Sequence, residues 1–287
     1  MKTFLRAVVY AAFPLFLLTP SIYSSSNIPE VAWEDLSSRK LTETGQAALK
    51  IYGEAWRHAE TSCFIYHYHD RKNAETVLVH AEAYYLWVKE LLGVEVDEEK
   101  QKGHVFVFDD KVLWRSFNAR TPEKLPGAEA FTNGFELFLY REPFYLEPQR
   151  VLAHEITHLV LFRFVKGPIP LFLNEGFAEL MATKAIAMKT DGDPYRVRSF
   201  RKMARADFIP VEELIAFQTY PEGREALFYQ ESELLTRYLA LNNPPDKFYS
   251  LLKLTAGGKP FAEALEELYN MDLETFSEKF KLYAMTG

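Results

Sequence analysis

Val151-Leu152-Ala153-His154-Glu155-Ile156-Thr157-His158-Leu159-Val160 is an apolar stretch that carries two histidines and one acid. It lies in a predicted helix running from about Pro148 to Val165. Residues at i and i+4 stand one above the other on a helix, so the imidazoles of His154 and His158 can point at one ion. Glu155 sits beside that face and can reach a water at the metal without binding the metal itself. Neutral imidazole suits zinc. The competing reading is a helix with two surface histidines and an exposed acid. The apolar setting weighs against it, because a buried histidine pair with a carboxylate between them needs partners, and a metal supplies them.

C-terminal to this helix, Gly167, Pro168 and Pro170 predict a tight corner. A second helix begins near Leu173 and opens with Asn174-Glu175-Gly176-Phe177-Ala178-Glu179. Sixteen residues separate His158 from Glu175, enough for two helical turns, the corner and a return. Glu175 can then face the two histidines and complete a His₂Glu site with a fourth position open for water. No histidine follows His158, and the chain has one cysteine, so no histidine or cysteine downstream competes for the place. Further helices are predicted over roughly 194–205, 224–241, 245–255, 259–269 and 273–285.

N-terminal to it the pattern is mixed. A helix is predicted from Leu41 to about Glu60 and another over 73–92, stopped by Gly93. Cys63–His69 alternates as a strand, with Phe64, Tyr66 and Tyr68 on one face and Cys63, Ile65, His67 and His69 on the other. His104–Phe108 reads as a second strand and Phe131–Tyr140 as one or two more, with an edge able to hold an extended peptide. The expected class is α+β: a small mixed sheet in an N-terminal α/β lobe, residues 27–145, and a mainly helical lobe, residues 146–287, forming one unit. His67 and His69 could bind a second metal or simply form a polar strand face. His58, His80 and His104 have no partner in the sequence pattern, and Cys63 reads as a small buried residue.

His154-Glu155-Ile156-Thr157-His158 followed by Leu173-Asn174-Glu175-Gly176-Phe177-Ala178-Glu179 resembles the gluzincin zinc peptidases. The likeness is greatest to the bacterial peptidase MA-like families and more distant to the aminopeptidase N and thermolysin types. It spans roughly residues 60–285 and is sharp at 148–183 and 225–240. The resemblance implies a zincin-like fold, one zinc held by His154, His158 and Glu175, and Glu155 as general base. It also implies that Glu179 supports His154 and Asn174 supports His158; a solvated helix acid and a helix cap are the alternatives. Tyr229-Gln230-Glu231-Ser232 resembles the family segment whose tyrosine stabilises the oxyanion, against the alternative of a core tyrosine. Gly127-Ala128-Glu129-Ala130-Phe131 departs from the aminopeptidase pattern Gly-x-Met-Glu-Asn, which puts aminopeptidase activity in doubt.

Lys2, Arg6, the uncharged run Ala7–Leu18 and the small residues up to Ser26 read as a signal peptide over residues 1–26, with an uncleaved anchor as the alternative. The expected location is secreted or periplasmic, and membrane association follows only if that segment is kept. A formal charge of −7 argues against a nucleic-acid partner. The expected activity is hydrolysis of a peptide or protein substrate. The alternatives are a zinc hydrolase or amidase acting on a cell-envelope substrate, and a binding protein that retains the zincin shell.

Overall fold

A computed structural model describes residues 28–94, 102–121, 128–141, 148–189 and 208–286. Five strands form one mixed sheet among these residues: β1 (Arg57–Glu60), β2 (Phe64–Tyr68), β3 (Gly103–Phe108), β4 (Ala130–Thr132) and β5 (Glu136–Tyr140), in the order β1-β2-β3-β5-β4. β2, β3 and β5 run parallel, and the two outer strands pair antiparallel with their neighbours. The chain is α+β. The edge on the β4 side is Ala130–Thr132 alone; β5 lies inside the sheet, so only the first part of the predicted Phe131–Tyr140 edge is at the border.

Alternation places aromatic residues on both faces of the sheet. Phe64, Tyr66 and Tyr68 join the main core, packed with Val77, Ala81 and Tyr85 of α2 (Arg71–Leu91) and Leu159 and Val160 of α4 (Pro148–Val165). Phe106, Phe108 and Phe138 point the other way. They form a second core with Ala48 of α1 (Glu43–Tyr52), Trp56, and Trp114 and Phe117 of α3 (Lys111–Asn118). Both α2 and α3 start on aspartates: Asp70 accepts from Lys72 N at 2.8 Å, and Asp110 from Val112 N at 2.8 Å and Leu113 N at 2.9 Å. Cys63 packs against the main core.

Two local readings are corrected. The helix predicted to Glu60 ends at Tyr52. Gly53, with φ of 55°, turns the backbone out of the helix, and Trp56 Nε1 donates to Leu49 O across the bend. Residues Arg57–Glu60 then pair with β2 as a border strand. The helix at Lys111–Asn118 and a short one, α6 (Val211–Leu214), had no counterpart among the predicted elements. The helix predicted at 194–205, the N-terminal segment and Gly127 lie outside the described residues.

The helical part begins with α4, which turns at Lys166–Pro170 into α5 (Leu171–Lys189). Leu173 N and Asn174 N both donate to Pro170 O at 3.0 Å, which starts α5 sharply after the corner. α7 (Glu225–Leu241), α8 (Pro245–Ala256), α9 (Phe261–Tyr269) and α10 (Leu273–Thr286) complete the bundle. α5 lies between α4 and α7. The main core is continuous from the sheet into these helices, joining Leu137, Leu159, Phe172 and Leu235. Among the described residues, no helix is long and apolar enough to cross a membrane.

Histidines that lacked partners in the sequence find them through strand pairing. His58 Nδ1 lies 2.8 Å from His67 Nδ1, and His67 Nε2 lies 2.9 Å from His104 Nδ1, a buried row across β1, β2 and β3. His67 has no exposure at all. His69 turns elsewhere: it stacks on Tyr52 and lies 3.2 Å from Asp109 Oδ2, so it does not share a metal with His67. Neutral imidazoles satisfy both links, each having one donor and one acceptor, and leave His104 Nε2 buried without a hydrogen-bond partner. Burial pushes His67 well below the usual histidine range and His104 down to about 4; Glu60 opposes the latter shift and Arg163 adds to it. Between pH 6.5 and 4 the unfolded chain therefore binds protons that the fold refuses. Stability is full above 6.5 and falls as the pH drops through that window. At about 1.4 kcal/mol per pH unit, His104 alone accounts for a loss of about 3 kcal/mol by pH 4. Urea midpoints at pH 7 and 5 are expected to differ more in the wild type than in His104→Phe. Equal differences would place the acid sensitivity elsewhere.

Candidate metal centre

α4 and α5 pack side by side and bring three groups to one point. His154 Nε2 and His158 Nε2 are 3.0 Å apart, and Glu175 Oε2 lies 3.5 Å from the first and 3.7 Å from the second. Tetrahedral ligands about 2.0–2.1 Å from a zinc ion are themselves about 3.3–3.4 Å apart. The three atoms are thus spaced as one face of such a tetrahedron, and the donor set of two imidazoles and a carboxylate is one that zinc accepts.

The remaining imidazole nitrogens are held from behind. His154 Nδ1 is 3.1 Å from Glu179 Oε1, and His158 Nδ1 is 3.1 Å from Asn174 Oδ1. These contacts leave both Nε2 atoms facing Glu175. Glu179 is buried, so it is not a solvated helix acid. Glu179 is itself paired with Arg150, one turn before His154. The order Arg150–Glu179–His154 fixes the imidazole through two successive charged contacts.

The electrostatics favour a cation. Burial would lower the His154 pKa, but hydrogen bonding to Glu175 and Glu179 outweighs it and pushes it up to about 10. Burial tends to raise Glu175 and Glu179, yet the imidazoles beside them bring both below the usual carboxylate range. Glu155 is half-buried on the same turn of α4. Burial raises its pKa, opposed by His154 and His158, so it is a stronger base than an exposed carboxylate.

Tyr229 lies near the start of α7, where its ring stacks on Tyr220. Burial and the negative charge of Glu175 push its hydroxyl up to about 12, with smaller contributions from Glu179 and Glu155. It remains a hydrogen-bond donor at all ordinary pH. One residue here was missed by sequence reading. Tyr220, in the loop between α6 and α7, donates its hydroxyl to Glu175 Oε1 at 3.0 Å and stacks on Tyr229, ring centroids 5.6 Å apart. No helical or strand periodicity marks a loop residue 45 positions from its partner, and tyrosine is abundant in this chain at 16 copies, so its sequence carries no signal.

The described part of the departure, Ala128–Phe131, falls at the sheet border. Glu129 O accepts from Tyr140 N at 2.8 Å, and Ala130–Thr132 form β4 beside α4. Scanned against known protein families, the sequence matches none, and no curated protein matches it either.

Proposed function

We propose that the chain is a zinc-dependent hydrolase that cleaves peptide bonds, with His154, His158 and Glu175 holding one ion and Glu155 as general base. The observation that carries this reading is the spacing of the two Nε2 atoms and Glu175 Oε2, with Glu155 on the same helical turn as His154. A zincin-like arrangement of the gluzincin type, and a location outside the cytoplasm after removal of residues 1–26, belong to the same proposal.

When bound, a zinc ion supplies Lewis acidity to a carbonyl and lowers the pKa of a water toward about 7. Glu155 takes the proton of the attacking water and returns it to the leaving amine. The Tyr229 hydroxyl donates to the carbonyl oxygen as charge develops there. Asn174 and Glu179 keep the imidazoles oriented. The β4 border, Ala130–Thr132, supports a peptide as substrate. Phe131 faces β5, and in an antiparallel pair the flanking residues turn their backbone groups outward, where an extended chain can pair with them.

Metal analysis of the purified protein, paired with digestion of a peptide library, tests the reading. About one zinc per chain and cleaved peptides are expected. Absence of zinc uptake, or zinc uptake with amide cleavage confined to cell-envelope material, would overturn it. Tyr229→Phe removes only a hydroxyl and keeps the ring packing. From the cost of losing one oxyanion donor, it is expected to lower kcat about 10²-fold, with zinc content and melting temperature unchanged. An unaltered kcat would make Tyr229 a packing residue.

A further inference from the structure

Glu175 is buried, with 4% of its surface exposed, and its two oxygens have different neighbours. Oε2 faces the imidazoles of His154 and His158. Oε1 accepts the Tyr220 hydroxyl at 3.0 Å. We propose that Tyr220 is a positioning residue for the metal centre: by holding Oε1, it turns the carboxylate so that Oε2 alone is presented to the ion. The inference rests on the zinc reading above and adds to it a residue that neither the motif nor the helix pairing contains.

Three observations carry it. First, a buried carboxylate needs a partner for each of its oxygens; Oε2 faces the imidazoles and Tyr220 is the donor that reaches Oε1. Second, Tyr220 is held by a few directed contacts. It is 43% exposed on a loop, so burial holds it only weakly. Its ring is set instead by Tyr229 and by the edge of Phe228, 6.1 Å between centroids. Third, a carboxylate free to turn could offer both oxygens and occupy the position that water requires; fixing Oε1 keeps that fourth position open. A carboxylate cannot donate, so the Tyr220 hydrogen goes to Glu175.

The test is zinc affinity of the full chain, measured by competition with a chromophoric chelator at constant pH. Outer contacts of this kind are worth about 10–100-fold in metal affinity. Tyr220→Phe is therefore expected to bind zinc about 10–100-fold more weakly, while the zinc-free protein stays folded and melts only slightly lower because Glu175 Oε1 loses its donor. Tyr220→Leu, which also removes the ring stacking, is expected to show a comparable loss. Wild-type affinity in Tyr220→Phe overturns the proposal, and so does a loss seen only in Tyr220→Leu, since the ring and not the hydroxyl would then be responsible. A wild-type protein that takes up no zinc overturns the metal reading itself, which distinguishes the two failures.

Discussion

Glu155→Gln is expected to lose between about 10² and 10⁴ of kcat/KM while retaining its zinc and its fold. Glutamine matches glutamate in length and volume, so the half-buried position on α4 stays filled. What it cannot do is take a proton. Burial raises the Glu155 carboxyl above its usual range, opposed by His154 and His158, so it is a stronger base than an exposed carboxylate. The three ligand atoms belong to other residues, so metal content is not expected to change. Initial rates on a peptide chosen from the library, with zinc measured on the same samples, decide the matter. A variant with wild-type turnover would remove Glu155 from the mechanism, and one that lost its zinc would make it a structural partner of the ligands.

The second large effect is at Gly176. α5 and α7 meet backbone to backbone there. A Cβ on Gly176 would overlap the Ser232 carbonyl oxygen and Thr236 Oγ1, and would lie 2.6 Å from the Ser232 carbonyl carbon. None of the main-chain atoms can rotate away, so the helices must part. Overpacking of this kind costs about 1–3 kcal/mol and sometimes more, and a clash with main chain belongs at the upper end. Gly176→Ala is expected to lose about 3 kcal/mol in urea unfolding, and Gly176→Val to fail to accumulate as folded protein. The displacement reaches the site directly, because Glu175 is the preceding residue and α7 carries Tyr229. A shift of about 1 Å at a catalytic group can cost about 10²-fold in rate. Wild-type stability in Gly176→Ala would mean that the two helices do not meet at this residue.

How much of this was legible in the sequence depended on how local each contact is. His154 and His158 are four residues apart on one helix, and the Gly167–Pro170 corner fixes where the chain returns, so Glu175 could be placed opposite them from spacing alone. Asn174 and Glu179 came from resemblance and not from spacing; they lie beside His158 and His154. Tyr220 was hidden because a loop has no periodicity to betray which way a side chain points. The row of His58, His67 and His104 was hidden for a different reason: strand pairing creates it, and strand order is not written in any one segment. β1 was misread because the apolar pattern Ala48, Ile51, Tyr52, Ala55 continues past Gly53, although the left-handed backbone there ends the helix.

The corner at Lys166–Pro170 has a kinetic consequence. It lets one short helical hairpin contain His154, His158 and Glu175, so the loop that must close to gather them is small and its entropic cost is low. The sheet has no such economy: Phe64 aligns with Gly103, and His104 with Glu136, across long intervening chain. Contacts of that range form late and slowly, whereas helix pairs form fast. The slow part of assembly is therefore the sheet, and the ligand-bearing hairpin can be complete before its scaffold.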